Sequence, residues 1–247
     1  MQHIKTGLLV SSLMLFLAPP TFADNMGGMS PDEMQKEHGG EISHMFRLET
    51  DIGTTAREGA DQRWDFQGWV GGDENKLWLQ SEGERLGGTM DSAEFWALYS
   101  RNVATFWDAQ VGLRQDTSPH PATYLTMGVT GLAPYYFETQ AHLFISNHGN
   151  ASFRLREEND LLITQRLITQ PYAEINLSAR NEPEQQLGAG LANASFGLQT
   201  RYEITRKFAP YVDLRYERKF GSTISIVKQD GETGDDFIAS VGLRIMF

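Results

Sequence analysis

The side chains best suited to metal chemistry cluster near the amino terminus of this sequence. Met26, Met29, Met34 and His38 fall within residues 24–41, and His44 and Met45 lie just beyond. Four of the chain's nine methionines thus sit in one short stretch. Methionine ordinarily fills gaps in apolar cores. The stretch DNMGGMSPDEMQKEHGGE, however, carries two Gly pairs, a Pro and many charges, with neither a helical nor a strand period. It is expected to be a flexible tail, with no core for methionine to fill. Thioether and imidazole donors together select copper, and thioethers favour the cuprous ion. The spacing is irregular, unlike that of a zinc knuckle, so a chance cluster in a polar tail stands beside the copper reading. The chain has no cysteine, which excludes disulfides and thiolate metal sites and leaves soft-metal binding to Met and His.

Other candidates are more isolated. His142 alternates with Glu138 and Gln140 on the polar face of a strand pattern. It is a candidate metal ligand, although an inward His is more often a hydrogen-bonded filler. His120 and His148 fall in loops without a partner in sequence, and Met127 and Met246 suit packing. A hydrolase would need Ser, His and an orienting group within hydrogen-bond reach. Ser146 lies four residues from His142, roughly 13 Å along a strand, which is too far. No catalytic residue is therefore expected. Arg154, Arg156, Glu158, Glu174 and Arg201 share inward faces, and mutual pairing inside a barrel would relieve the cost of burying them.

The elements that must carry these residues are strands. In the last stretch, FIASVGLRIMF, Phe237, Ala239, Val241, Leu243, Ile245 and Phe247 share one face, and Ile238, Ser240, Gly242, Arg244 and Met246 the other. Such alternation sets an apolar medium against a polar one. From Ser43 onward about twelve strands follow, near 43–52, 63–71, 76–84, 93–102, 106–114, 122–129, 135–146, 152–162, 168–178, 194–205, 210–220 and 237–247. The polar faces mix both charge signs, and aromatic residues such as Trp64, Trp69, Trp78, Trp107, Tyr135, Tyr172, Tyr202 and Tyr211 lie near strand ends. The expected fold is all-β: an antiparallel transmembrane β-barrel with an even strand count and a flexible amino-terminal tail. Short connections should follow the even-numbered strands and longer outer loops most of the odd-numbered ones. Residues 1–23, with Lys5, an apolar run from Leu8 to Leu17 and a small residue at Ala23, match a signal peptide. Residues 24–42 would then be a periplasmic tail, and residues 43–247 the barrel. A net charge of −11 argues against nucleic acid as a partner and suits the handling of cations.

Several segments carry a family resemblance. NKLWLQSEGE at 75–84, GLAPYYFE at 131–138, LLITQRLITQPYAEIN at 161–176 and YEITRKFAPYVDLRYERKFG at 202–221 resemble the outer-membrane copper resistance protein B family, over about Phe66–Phe247. The resemblance implies a β-barrel in the outer membrane of a Gram-negative bacterium. It would bind, move or sequester copper ions, as Cu(I) or Cu(II), commonly beside a periplasmic multicopper oxidase. Family members often carry a long Met/His-rich amino-terminal region, here reduced to residues 24–41. The alternative function is a small-solute porin, and an outer-membrane hydrolase comes last.

Overall fold

The computed structural model describes residues 42–56, 59–228 and 234–247. Met26, Met29, Met34 and His38 lie outside the described residues, as do the expected signal peptide and nearly all of the expected tail. The chain runs β1 (Ser43–Thr55), β2 (Ala60–Gly71), β3 (Asn75–Leu86), β4 (Thr89–Ala104), β5 (Trp107–Ser118), β6 (Ala122–Ala133), β7 (Phe137–Ser146), β8 (Ala151–Glu158), a two-residue β9 (Leu161–Leu162), β10 (Leu167–Ser178), β11 (Gly190–Tyr202), β12 (Phe208–Lys219), the helix α1 (Gly221–Val227) and β13 (Asp235–Met246). Neighbours in sequence pair antiparallel, and β13 pairs with both β12 and β1, so the sheet closes on itself. β9 pairs only with the start of β10 and continues the line of β8, giving a wall of twelve staves. A closed antiparallel barrel with an even number of staves leaves no open edge.

Strand alternation sorts the side chains as their polarity requires. On β12 and β13, Val212, Leu214, Val241, Leu243 and Ile245 are exposed on the outer surface, while Asp213, Arg215, Ser240 and Arg244 are buried inside. The closing seam keeps the pattern, with Leu48 opposite Ile245 and Ile52 opposite Val241. A continuous apolar band of this extent would be a liability in water and is the lipid-facing surface of a membrane barrel. Among the described residues no helix is long and apolar enough to cross a membrane. Phe247 is tied in at the seam. Its N–H donates to the Phe46 carbonyl at 3.0 Å, Phe46 N–H donates to its carbonyl at 2.9 Å, and the Phe46 ring stacks on both Phe66 and Phe247. Val241→Arg places a charge on the lipid face and should lower stability by about 2–4 kcal/mol if the site lies at the bilayer midplane. Urea unfolding in lipid vesicles measures this, and an unchanged midpoint would refute the outward assignment.

The connections are shorter than the sequence implies. β3 and β4 are joined by Gly87 and Gly88 alone, with φ of 55° and 93°, a two-residue turn that only positive-φ residues form easily. Residues read from the sequence as outer loops instead extend the strands, and β4 reaches 16 residues. The long connections at the end opposite the termini are residues 179–189 and 220–234. Several of the expected girdle aromatics turn inward: Tyr172 and Tyr211 donate their hydroxyls to Asp213 and Asp51, each at 2.9 Å. Trp78 packs against a buried cluster within the lumen.

Candidate functional site

The inward face of the barrel is a lattice of arginines and carboxylates. Arg154 on β8 reaches across the lumen to Glu82 on β3, pairs with Glu94 on β4 through Nη2 at 2.9 Å, and approaches Glu174 on β10 at 3.5 Å. Two residues along, Arg156 pairs with Glu174 at 2.8 Å and with Glu82 at 2.9 Å. Arg114 closes the group, 2.7 Å from Glu94 and 2.6 Å from Asp116. The period-two spacing of each strand brings these side chains to one face, and barrel closure brings non-neighbouring strands together. Guanidinium is suited to the role because its planar fork can serve several carboxylates at once. Toward the end where the termini lie, Arg244 meets Glu49 at 2.6 Å and donates to Gln170 and Gln199, each at 2.9 Å.

Beside this lattice the lumen is filled by side chains. Trp96, Leu98, Tyr124 and Phe144 form a buried cluster, and the Arg114 guanidinium sits 4.7 Å from the Phe144 ring centre. His142 belongs to this wall. It faces inward as its place in the strand requires, it is 2 % exposed, and its Nε2 lies 2.8 Å from Gln110 Oε1, to which the imidazole donates. Its ring meets Trp96 edge-on at 5.3 Å. Gln110 and His142 are two strands apart and meet over Gly128, which is in register with both. A Cβ at Gly128 would stand 2.6 Å from His142 Cδ2 and 2.2 Å from the Ala141 carbonyl oxygen. Gly128→Ala should therefore cost about 1–3 kcal/mol by overpacking, measured by urea unfolding; a neutral result would mean that the wall there is loose.

A cavity of about 310 Å³ runs from the loops into the barrel, lined by Arg63, Glu82, Glu94, Arg154 and Arg156 among others. Its mouth is crossed by the loop of residues 179–189. His120 Nδ1 lies 2.7 Å from the Glu184 carbonyl oxygen, Gln185 Nε2 donates to the His120 carbonyl at 2.9 Å, and Gly188 N–H donates to Thr223 Oγ1 of α1 at 2.9 Å.

The remaining sequence candidates are dispersed. His44 and Met45 are consecutive on β1 and so leave it on opposite faces; His44 is exposed, its ring 6.1 Å from that of Phe46. Ser146 Oγ accepts from His148 N–H at 3.2 Å and Asn150 N–H at 3.1 Å, which ties it into the β7–β8 turn. Among the described residues no three His, Asp or Glu side chains are grouped to hold a metal ion. Of the expected ion-pair lattice, Arg154, Arg156 and Glu174 meet as anticipated. Arg201 pairs elsewhere, with Asp160 and with Glu203 at 3.7 Å. Glu82, Glu94 and Arg114 had only their alternating placement to mark them.

This architecture defines a class, the antiparallel barrels of the outer-membrane porin type. Solved structures agree at the level of fold. The NanC porin matches with a TM-score of 0.57 at 10% identity, covering 80% of this chain and 98% of that one. The KdgM porin matches with a TM-score of 0.51 at 10% identity, covering 82% and 99%. Sequence comparison is more specific. A family model described as copper resistance protein B precursor (CopB) matches residues 45–247. A copper resistance protein B homolog of Pseudomonas syringae pv. tomato is 37% identical over 232 residues, 94% of this chain and 79% of the relative. Copper resistance protein B of Escherichia coli is 35% identical over 232 residues, 94% and 78% respectively. The chain belongs to the copper resistance protein B family.

Proposed function

We propose that this barrel resides in the outer membrane of a Gram-negative cell and lowers copper stress by binding copper, with its amino-terminal segment on the periplasmic side. The observation that carries the reading is family membership over nearly the whole barrel. Met26, Met29, Met34, His38, His44 and Met45 supply the thioether and imidazole donors that copper prefers, Met favouring Cu(I). His142 is a further candidate donor through Nδ1, with its Nε2–H held by Gln110. A periplasmic multicopper oxidase is the proposed partner, since it would act on copper on the same side of the membrane. The alternative, a small-solute pore, draws on the porin-like fold. The filled lumen speaks against it, because solute flow would require breaking a charged lattice.

Two measurements separate these readings. A copper-sensitive strain lacking its own family member should regain growth on copper when given this chain, and vesicles carrying the protein should swell in small sugars no faster than empty ones. Rapid swelling without restored tolerance would favour the pore.

A further inference from the structure

The lattice around Arg154 sets three arginines against a slightly larger number of carboxylates, and a second lobe nearer the loops has a larger excess of carboxylate over arginine. There Asp51, Asp61, Glu84, Asp213 and Glu217 face Arg63 and Arg215, from strands β1, β2, β3 and β12. Four of the five acids have close partners, although Asp51 Oδ1 accepts no hydrogen bond. Asp51 and Asp213 each lie 3.4 Å from Arg63 and accept a tyrosine hydroxyl. Glu84 and Glu217 lie 2.6 and 2.8 Å from Arg215. Asp61 is the exception. It is 1 % exposed, and neither of its carboxylate oxygens accepts a hydrogen bond. Arg215, already engaged with two other acids, stands 3.7 Å away. Glu84 lies on the strand paired with that of Asp61, two register positions along, and both carboxylates converge on the same Nη2 of Arg215.

Two neighbouring buried carboxylates that share one guanidinium, which donates to Glu84 and not to Asp61, are costly unless further positive charge lies between them. These five acids exceed the two arginines by three charges. A shared proton would remove one charge of that excess, and a divalent cation two. Glu84 and its neighbours Asp51, Arg63, Arg215 and Glu217 line the cavity that leads in from the loops, so an ion has a route to the lobe. The ligands on offer are all oxygen, with no imidazole or thioether. Such donors reject Cu(I), and among first-row divalent ions they hold Cu(II) most tightly.

We propose that this lobe is a divalent-cation site in which the Asp61 and Glu84 carboxylates are the protein ligands and water fills the remaining positions. The site is separate from the methionines of the amino-terminal segment and differs from them in hardness, so each can fail without the other. Asp61→Asn is the direct test, because Asp61 gives up no hydrogen bond when changed. The full folded chain, carrying Met26, Met29, Met34 and Met45 as Leu and His38 and His44 as Gln, is titrated with Cu(II) in detergent and followed by electron paramagnetic resonance. One equivalent of copper should show an oxygen-only signature, distinguishable from nitrogen-bound copper by the lack of nitrogen superhyperfine lines. Asp61→Asn should weaken that binding at least about tenfold, since affinity at oxygen sites follows the number of charged ligands. Cu(II) should also raise the unfolding temperature of the parent and not of the variant. If Asp61→Asn does not reach the heat-modifiable folded form, the same titration on Glu84→Gln decides. Absence of the oxygen-only signal in the parent, or equal binding by the folded variant, would overturn the proposal and leave a shared proton as the resolution of the pair.

Discussion

Arg154→Ala is expected to lower the stability of the folded barrel by about 3–5 kcal/mol, the range seen when one partner of a buried ion pair is removed. The magnitude follows from what is left behind. Glu82, Glu94 and Glu174 each lose one of the two arginines they pair with, in a lumen where few donors can replace it. Arg154 also lies over the Trp96 and Phe144 rings, so truncation removes packing as well. Adding Glu94→Gln to Arg154→Ala should recover part of the loss, with a coupling of about 0.5–3 kcal/mol. Arg101→Ala, on an exposed outward position of β4, serves as the control and should stay within about 0.5 kcal/mol. Urea unfolding in lipid vesicles reads these variants, the Glu94→Gln single variant that completes the cycle, and the parent. A loss at Arg154 no larger than at Arg101 would mean that the lattice does not hold the lumen together.

Which parts of this arrangement the sequence reveals follows from the range of the interactions. Alternation is local, so the outward Val241, Leu243 and Ile245 and the inward Ser240 and Arg244 are legible from the terminal strand alone. The count of twelve staves follows from the same signal repeated, even where Asn159 and Asp160 interrupt the line between β8 and β9. Loop lengths are less legible, because polar residues extend a strand beyond the membrane as readily as they form a loop, and the Gly87–Gly88 turn joins two such extensions. Arg154 and Glu174 lie on paired strands, and their meeting could be anticipated. Glu82 and Glu94 reach Arg154 only through closure, and no local pattern encodes which strands face each other across the lumen. The bond between His142 and Gln110 depends on the absence of a side chain at Gly128, which alternation does not register. Tyr172 and Tyr211 mislead for a different reason: a tyrosine near a strand end suits the membrane interface, but its hydroxyl is equally a donor for a buried carboxylate.

The largest functional effect is expected from the methionines of residues 24–46. Changing Met26, Met29, Met34 and Met45 to Leu keeps volume and apolarity nearly constant while removing every thioether from residues 24–46. The barrel wall should fold as before, since among the described strands only β1 carries one of the four, Met45, and Leu matches it in volume. A cuprous site needs only a few soft ligands, and a short chain rich in Gly can gather them at modest entropic cost. The replacement should therefore abolish most Cu(I) binding and lower copper tolerance in the cell, with His38 and His44 left to provide weaker residual binding.

The most direct test of a copper-binding role is a titration of the full folded chain against a competing Cu(I) chelator, in parallel with Zn(II), for the parent and the four-Leu variant. The parent should take Cu(I) more tightly than Zn(II), and the variant should lose most of its Cu(I) affinity while keeping the heat-modifiable migration of a folded barrel. A folded variant that competes for Cu(I) as well as the parent would contradict the thioether site.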